Sequence, residues 1–143
     1  MKSYHTYTVD WDKAAQVLAS VPQVIAAWGF GSAQSGRMRA DSDLDLGVLF
    51  VAQPTLDTLA DLRASLQQAL QFDQIDLVVL NNATPVVRFE AVCGRLIFCR
   101  NAAQRAAFVS LTAREYEESM AMVQRALAAR TSHGALSTYS VGT

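Results

Sequence analysis

The sequence is poor in the residues that build disulfide frameworks, zinc sites and membrane spans. Two cysteines and two histidines occur in 143 residues. Cys93 and Cys99 lie in apolar segments without a histidine or cysteine at metal-ligand spacing, so we expect two buried thiols. No run approaches the roughly 18 uninterrupted apolar residues of a membrane span, and the amino terminus has no apolar signal segment. These absences predict a cytoplasmic protein that makes no membrane contact.

An excess of positive charge is also missing. Lysine and arginine number 12 against 13 aspartates and glutamates, which gives a net charge of -1. Because proteins that track nucleic-acid phosphates usually carry a positive field, we expect no direct nucleic-acid binding. The 51% of hydrophobic residues is enough for a substantial core. The length and the lack of a linker predict a single domain over residues 1–143.

The apolar periodicity predicts helices alternating with short strands. A first helix is predicted to start after the capping residue Asp10 and to end before Pro22. Apolar runs rich in β-branched or aromatic residues predict strands over residues 24–30, 44–51, 75–80 and 95–99. Pro54 and the pair Thr84–Pro85 mark the starts of two more helices. The expected fold is therefore α/β (α+β), with a small mixed β-sheet flanked by helices.

A long helix is predicted near the carboxy terminus, over about residues 102–129. Its approximate apolar stripe consists of Phe108, Leu111, Tyr116, Met120, Val123 and Leu127. This helix is expected to pack on the core, and it can also offer apolar surface to a partner. The polar tail of residues 131–143 has no pattern and is expected to fray.

The most informative segment joins the first two predicted strands. Gly31 and Ser32 leave the first strand, ten residues intervene, and Asp43 and Asp45 enter the second. Glycine lets the backbone approach an anion closely, and backbone N–H groups of the turn at Ser32 can face phosphate oxygens. This half of the segment therefore predicts a phosphate-binding turn.

The acidic half of the segment predicts a site for divalent cations. Asp43 and Asp45 point the same way on a strand, so their carboxylates repel each other unless a cation lies between them. A few hard oxygen ligands suit Mg²⁺ that completes its shell with water and a nucleoside triphosphate. Asp76, on the next strand, is the best third acid for a two-metal site, because Asp73 is expected in the preceding turn.

Other residues near this segment carry open alternatives. Arg37 and Arg39 either neutralise triphosphate oxygens or remain solvated in the loop. Ser42 either contributes to nucleotide binding beside the acids or forms a local turn hydrogen bond. Trp28 and Phe30 are expected in the core or in a pocket wall. These residues extend the candidate site without defining it.

This combination of residues resembles the nucleotidyltransferase superfamily of the DNA polymerase β type. The resemblance depends on Gly31, Ser32, Asp43, Asp45 and Asp76, lies within a signature over residues 31–76, and covers roughly residues 10 to 100. It implies a nucleotidyltransferase fold, in which a hydroxyl group attacks the α-phosphorus of ATP and expels pyrophosphate. It also implies that the three aspartates bind two Mg²⁺ ions and that the glycine–serine pair anchors the triphosphate.

Within that superfamily the chain resembles the MNT antitoxins, the nucleotidyltransferase halves of MNT/HEPN toxin–antitoxin pairs. The stretches that carry this likeness are residues 35–37, 41–46 and 75–78. The resemblance implies an antitoxin that moves AMP from ATP to a tyrosine of a HEPN ribonuclease toxin. Two alternatives stay open: transfer to a small hydroxylated molecule, and neutralisation of the toxin by binding alone.

Overall fold

The computed structural model describes the backbone of residues 6–141 and the side chains of residues 6–32 and 34–131. The strands are β1 (Thr6–Thr8), β2 (Val24–Phe30), β3 (Arg37–Arg39), β4 (Leu44–Phe50), β5 (Ile75–Val79) and β6 (Arg95–Cys99). The helices are α1 (Trp11–Ala19), α2 (Leu56–Leu70), α3 (Pro85–Val92) and α4 (Ala102–Val141). Short 3₁₀ turns follow β2 at Gly31–Ser35 and β5 at Leu80–Asn82.

Four strands form one mixed sheet in the order β5-β4-β2-β6. The β4–β5 pair is parallel, and β2 is antiparallel to both β4 and β6. The mixed α+β architecture expected from the sequence is therefore confirmed. The two short strands β1 and β3 form a separate antiparallel ribbon that the sequence did not predict. Each is three residues long, which is too short to show an alternating pattern.

Helices cover both faces of the sheet. The even-numbered apolar residues of β4, from Leu44 to Phe50, belong to one buried cluster together with Leu18 of α1 and Leu66 of α2. Leu49 of β4 belongs to a second cluster that includes Ala91 of α3. The strand alternation expected from the sequence is thus present, and it assigns α1 and α2 to one face and α3 to the other.

Side-chain caps fix the starts of the first three helices. Asp10 accepts a hydrogen bond from the Lys13 N–H at 3.2 Å and begins α1 as predicted. Thr84 caps α3, with Pro85 in its first turn. Helix α2 begins at Leu56, two residues after Pro54, because Thr55 is its N-cap and accepts from the Thr58 N–H at 3.1 Å.

Helix α4 differs from its prediction in both length and packing. It runs to Val141, past the expected end near residue 129. The fraying of the polar tail stays a prediction, and residues 142–143 of that tail lie outside the described residues. No proline interrupts this segment, and one glycine costs a helix only about 1 kcal/mol. Phe108 packs against the second cluster as expected, whereas Leu111, Val123 and Leu127 are exposed. Among the described residues, no helix has the length and apolar character needed to cross a membrane.

Candidate functional site

Strand register brings the predicted carboxylates together at one end of the central strands. Asp45 is paired with Asp76 on β5 and with Phe30 on β2. Paired residues share a face of the sheet, and the Phe30 side chain packs in the cluster that contains Ala91 of α3. Asp45 and Asp76 therefore point toward α3. Asp43 directly precedes β4 and is exposed, while Asp45 is half-buried.

Three acidic residues lie close enough to Asp45 to act on its carboxyl group. Burial raises the pKa of the Asp45 carboxyl, and the charges of Asp76, Asp43 and Glu90 raise this pKa further. Glu90 belongs to α3 and was not identified from the sequence, because only the packing of that helix over the sheet brings it near Asp45. An excess of negative charge at a half-buried carboxylate favours the binding of a cation.

Gly31 lies close to the Asp45 carboxylate and has a backbone conformation that favours glycine. Its backbone φ is +67°, and a Cβ atom added there would lie 2.7 Å from Asp45 Oδ2. Only glycine meets both conditions without strain. The segment that begins with this glycine is a 3₁₀ turn, Gly31–Ser35, in agreement with the turn expected at Ser32. Ser32 is exposed in this turn.

The acidic residues fit Mg²⁺ that is shared with a substrate. In the part of the chain that the structure describes, no three His, Cys, Asp or Glu side chains already form a metal-binding group. Mg²⁺ commonly binds through one or two carboxylates and completes its octahedral shell with water and substrate phosphates. The in-register pair Asp45 and Asp76, with Asp43 at the strand end, supplies such a donor set.

A cavity of about 540 Å³ opens beside Gly31 on the face covered by α3. Its lining includes Phe30, Gly31, Phe89, Glu90, Cys93 and Tyr116. The rings of Phe89 and Tyr116 stack with a centroid distance of 3.9 Å and an interplanar angle of 8°. Aromatic walls of this kind suit a planar ligand group. The prediction for Phe30 as core or pocket wall is confirmed, since it is both buried and part of the lining.

The prediction that both cysteines are buried is wrong. Cys93 is exposed and lines the cavity, and Cys99 is half-buried. Cys93 is the C-cap of α3, and a Cβ added at the following Gly94 would lie 2.3 Å from the Gly29 carbonyl oxygen. This tight packing of the backbone places the end of α3 against β2. The Gln34 amide also donates to the Cys93 carbonyl at 3.2 Å, which connects α3 to the 3₁₀ turn.

The loop residues Arg37, Arg39 and Ser42 lie on or next to β3. Met38 is buried between the two arginines, so both guanidinium groups extend from the opposite, solvent side of the strand. Arg39 forms an ion pair with Asp41 at 3.3 Å. The Ser42 N–H donates to the Arg39 carbonyl at 3.0 Å, which is a local turn bond. Ser42 directly precedes Asp43, whereas Arg37 is exposed on β3 opposite Thr8, and the binding roles of both residues stay predictions.

Comparison with known proteins gives a family and a set of similar folds. Residues 12–103 match the family Polymerase beta, Nucleotidyltransferase. A chain from the crystal structure of a toxin–antitoxin with AMP-PNP has a TM-score of 0.70 and 23% identity, covering 86% of this chain and 99% of that chain. No curated protein matches in the sequence search.

Two further solved structures are similar in fold. A chain of the toxin–antitoxin MntA–HepT has a TM-score of 0.64 and 22% identity, covering 85% of this chain and 96% of that chain. A chain from the complex of tri-AMPylated Shewanella oneidensis HEPN toxin with MNT antitoxin has a TM-score of 0.65 and 21% identity. The match covers 85% of this chain and 95% of that chain. At these identities the likeness establishes a common fold.

Proposed function

The chain belongs to the Polymerase beta nucleotidyltransferase family, and from this premise we propose that it transfers AMP from ATP to a tyrosine of a HEPN ribonuclease toxin and so neutralises the toxin. The proposal is supported by the fold neighbours, which include a toxin–antitoxin with AMP-PNP and an AMPylated HEPN toxin bound to an MNT antitoxin. The observation that carries it is the position of Asp45, in register with Asp76 and in close approach to Gly31.

In this proposal each residue of the sequence signature has one role. Asp43 and Asp45 would hold two Mg²⁺ ions, and Asp76 would complete the site nearest the attacking oxygen and accept the proton of that oxygen. Mg²⁺, when bound, neutralises the developing charge on the phosphate oxygens. Gly31 and Ser32 anchor the triphosphate through backbone N–H groups and the serine hydroxyl. Ser42, which directly precedes Asp43, and Arg37 of β3 supply further contacts to the nucleotide.

The reaction breaks one bond and forms one bond at phosphorus. The tyrosine oxygen attacks the α-phosphorus of ATP in line, the oxygen–phosphorus bond forms, and the bond to the bridging oxygen of the β-phosphate breaks. Pyrophosphate leaves with the bonding electron pair. The cavity lined by Phe89 and Tyr116 adjoins the carboxylates, and its aromatic wall accommodates a planar group of either the nucleotide or the acceptor.

The small-molecule transferase stays a second candidate because of the same cavity. Its volume of about 540 Å³ lies in the range typical of sites for small ligands. A hydroxylated compound in this cavity would be next to Glu90 and close to Asp45. Binding of the toxin without catalysis is the third candidate, and retention of the complete set of acidic residues argues against it.

Transfer of label from ATP distinguishes these candidates. The purified chain, its toxin partner and Mg²⁺ are incubated with ATP labelled at the α- or the γ-phosphate. The buffer imitates the cytoplasm, where the protein is expected to be located. We expect label on the partner from α-labelled ATP alone, and none after Mg²⁺ is chelated. Label from the γ-position alone would indicate a kinase and would contradict the proposed mechanism.

A further inference from the structure

Tyr116 of α4 belongs to the wall of the same cavity that Gly31 lines. Its ring stacks face to face on Phe89 of α3, with the ring centroids 3.9 Å apart and the planes 8° from parallel. Helix α4 is also tied to α3 one residue earlier, where Glu115 forms an ion pair with Arg88 at 3.4 Å. These two contacts hold the Tyr116 ring against α3 at the side of the cavity.

This wall lies on the same face of the sheet as the predicted catalytic carboxylates. Asp45 and Asp76 point toward α3, and Glu90 of α3 lines the cavity and raises the pKa of Asp45. Elsewhere in the cavity wall, a Cβ atom added to Gly31 would lie 2.7 Å from Asp45 Oδ2. One cavity therefore connects Tyr116 with the turn to which the proposed function assigns the phosphates.

The hydroxyl of Tyr116 is available for reaction, in contrast to that of Tyr7. Tyr7 donates its hydroxyl hydrogen to the Leu70 carbonyl. Within the described part of the chain, the Tyr116 hydroxyl has no hydrogen-bond partner, and its oxygen is not enclosed in the core. The side chains of Tyr4 and Tyr139 lie outside those that the structure describes. Of the two described tyrosines, Tyr116 thus combines a place in the cavity wall with an unbonded hydroxyl.

We propose that the chain transfers AMP from ATP to its own Tyr116 when no partner protein supplies an acceptor. This inference rests on the proposed function, because it uses the same carboxylates and an acceptor of the same chemical class, a phenol. The Tyr116 oxygen attacks the α-phosphorus, and a bond between them forms as the bond to the bridging oxygen of the β-phosphate breaks. Pyrophosphate leaves with the bonding electron pair, and the phenol proton passes to the Asp76 carboxylate.

A tyrosine built into the cavity wall reacts without a separate binding step. The chain itself holds the hydroxyl near the site, so the reaction is intramolecular and gains the advantage of proximity. The rate per molecule is therefore independent of protein concentration. This property distinguishes transfer within one chain from transfer between two copies.

The test incubates the purified full chain alone with ATP and Mg²⁺ and follows its intact mass. We expect a gain of about 329 Da, the mass of one adenylyl group, and peptide mass spectrometry should locate this group on Tyr116. The initial rate per molecule should not change with protein concentration. Tyr116→Phe keeps the ring that stacks on Phe89 but lacks the hydroxyl, so its mass should stay unchanged. Tyr7→Phe is the matched control and should gain AMP like the wild type.

A mixture of the wild type with tagged Asp45→Asn tests whether transfer stays within one chain. The tagged protein should gain no AMP, because its own site is inactive. Modification of the tagged protein would contradict transfer within one chain, and AMP on a residue other than Tyr116 would overturn the assignment.

The same assay, repeated with the toxin present, separates this inference from the proposed function. An unchanged mass of the wild type alone would refute self-modification, and a toxin that gains AMP would leave the proposed function standing. AMP on Tyr116 together with a toxin that is never modified would contradict the proposed function and support the inference.

Discussion

Asp45 combines the strongest structural constraints of any single residue in the candidate site. Its pKa is raised first by burial and then by the charges of Asp76, Asp43 and Glu90, and Gly31 lacks the side chain that would collide with it. A carboxylate in such surroundings destabilises the metal-free fold. Such a destabilising carboxylate is expected at a site where its negative charge binds a cation during function.

Replacing this carboxylate should separate stability from activity. We expect Asp45→Asn and Asp43→Asn to abolish AMP transfer, while the melting temperature without Mg²⁺ stays equal or rises, because each change relieves repulsion among the acids. Thermal melts and transfer assays on the same preparations measure both effects. Asp61→Asn, an exposed position on α2, is the matched control and should leave both unchanged. A folded Asp45→Asn protein with near-wild-type transfer would remove Asp45 from the catalytic role.

Tyr7 provides a pH-dependent test of the packing around β1. Its hydroxyl donates to the Leu70 carbonyl at 2.5 Å, and its ring stacks on Phe72. Burial, followed by the charge of Asp10, raises the pKa of Tyr7 above its ordinary value of 10.0. Because the folded pKa exceeds the unfolded pKa, this stability is present below pH 10 and is lost as the pH rises through the folded pKa.

The corresponding variant is Tyr7→Phe. Near neutral pH we expect it to be less stable than the wild type by about 1 kcal/mol, which is the usual net contribution of a hydrogen bond to stability. As the pH rises beyond 10.0, the ordinary pKa of tyrosine, the difference should shrink, since the variant has no phenol to ionise at this position. Urea unfolding from neutral to alkaline pH measures the difference. If the free energies of unfolding of the two proteins change in parallel with pH, the raised pKa cannot be assigned to Tyr7.

At the scale of elements, the sequence predicts best where one local signal decides the structure. Strands β2 and β6 have the predicted bounds, and Asp10 and Thr84 cap the helices expected to follow them. The exposed thiol of Cys93 was missed because its environment depends on how the end of α3 packs on Gly29. The contribution of Glu90 to the charge around Asp45 was missed for the same reason. Apolar flanks indicate burial on average, but long-range packing decides which side faces a cavity.

Arg88 connects three elements on the α3 face of the sheet. Its guanidinium donates to the carbonyls of Leu80 at 2.8 Å and Asn81 at 2.6 Å, and forms an ion pair with Glu115 of α4 at 3.4 Å. It also lies 5.5 Å from the centroid of the Phe108 ring. This residue therefore fixes α3, which carries Glu90 and one wall of the cavity, against the sheet and α4.

Arg88→Met tests this connection between the elements. We expect it to lower the free energy of unfolding by about 2 to 4 kcal/mol, because it leaves two carbonyls and one half-buried carboxylate without their partner. Urea unfolding gives the change. Arg114→Met alters an exposed arginine of α4 and should change stability by less than about 0.5 kcal/mol. Equal stability of the two variants would show that the Arg88 contacts do not hold α3 in place.

At the scale of the whole molecule, the segment matched by the family and the longest helix are largely separate parts of the chain. The family match ends at residue 103, and α4 begins at Ala102. The first turns of α4 pack on the α3 face through Phe108 and Tyr116. Farther along, Met122, Val123 and Leu127 are 63%, 49% and 54% exposed. Apolar side chains grouped on one part of a helix are typical of a surface that another protein covers.

We predict that this outer part of α4 contributes to binding of the toxin. The described residues include a cavity close to the carboxylates, but no additional helices or strands that could bind a protein acceptor. The acceptor is therefore expected to be a folded protein that docks near the site. Val123 and Leu127 are one helical turn apart and therefore lie on one face of α4. Replacing both with glutamate should prevent complex formation, while ATP binding and the melting temperature remain those of the wild type, because both side chains are exposed.

The experiment co-expresses each variant with the toxin and combines size-exclusion chromatography with intact mass measurement. The wild type should co-elute with a partner that gains about 329 Da for each AMP transferred. The double variant Val123→Glu and Leu127→Glu should elute alone, with the partner unmodified. Arg125→Glu introduces the same change in net charge at a position on the other side of the helix, and it should bind like the wild type. If the double variant still binds and modifies the partner, α4 is not the docking surface. If the wild type neither binds nor modifies the partner and instead adenylylates a small hydroxylated compound, the small-molecule transferase explains the same carboxylates better.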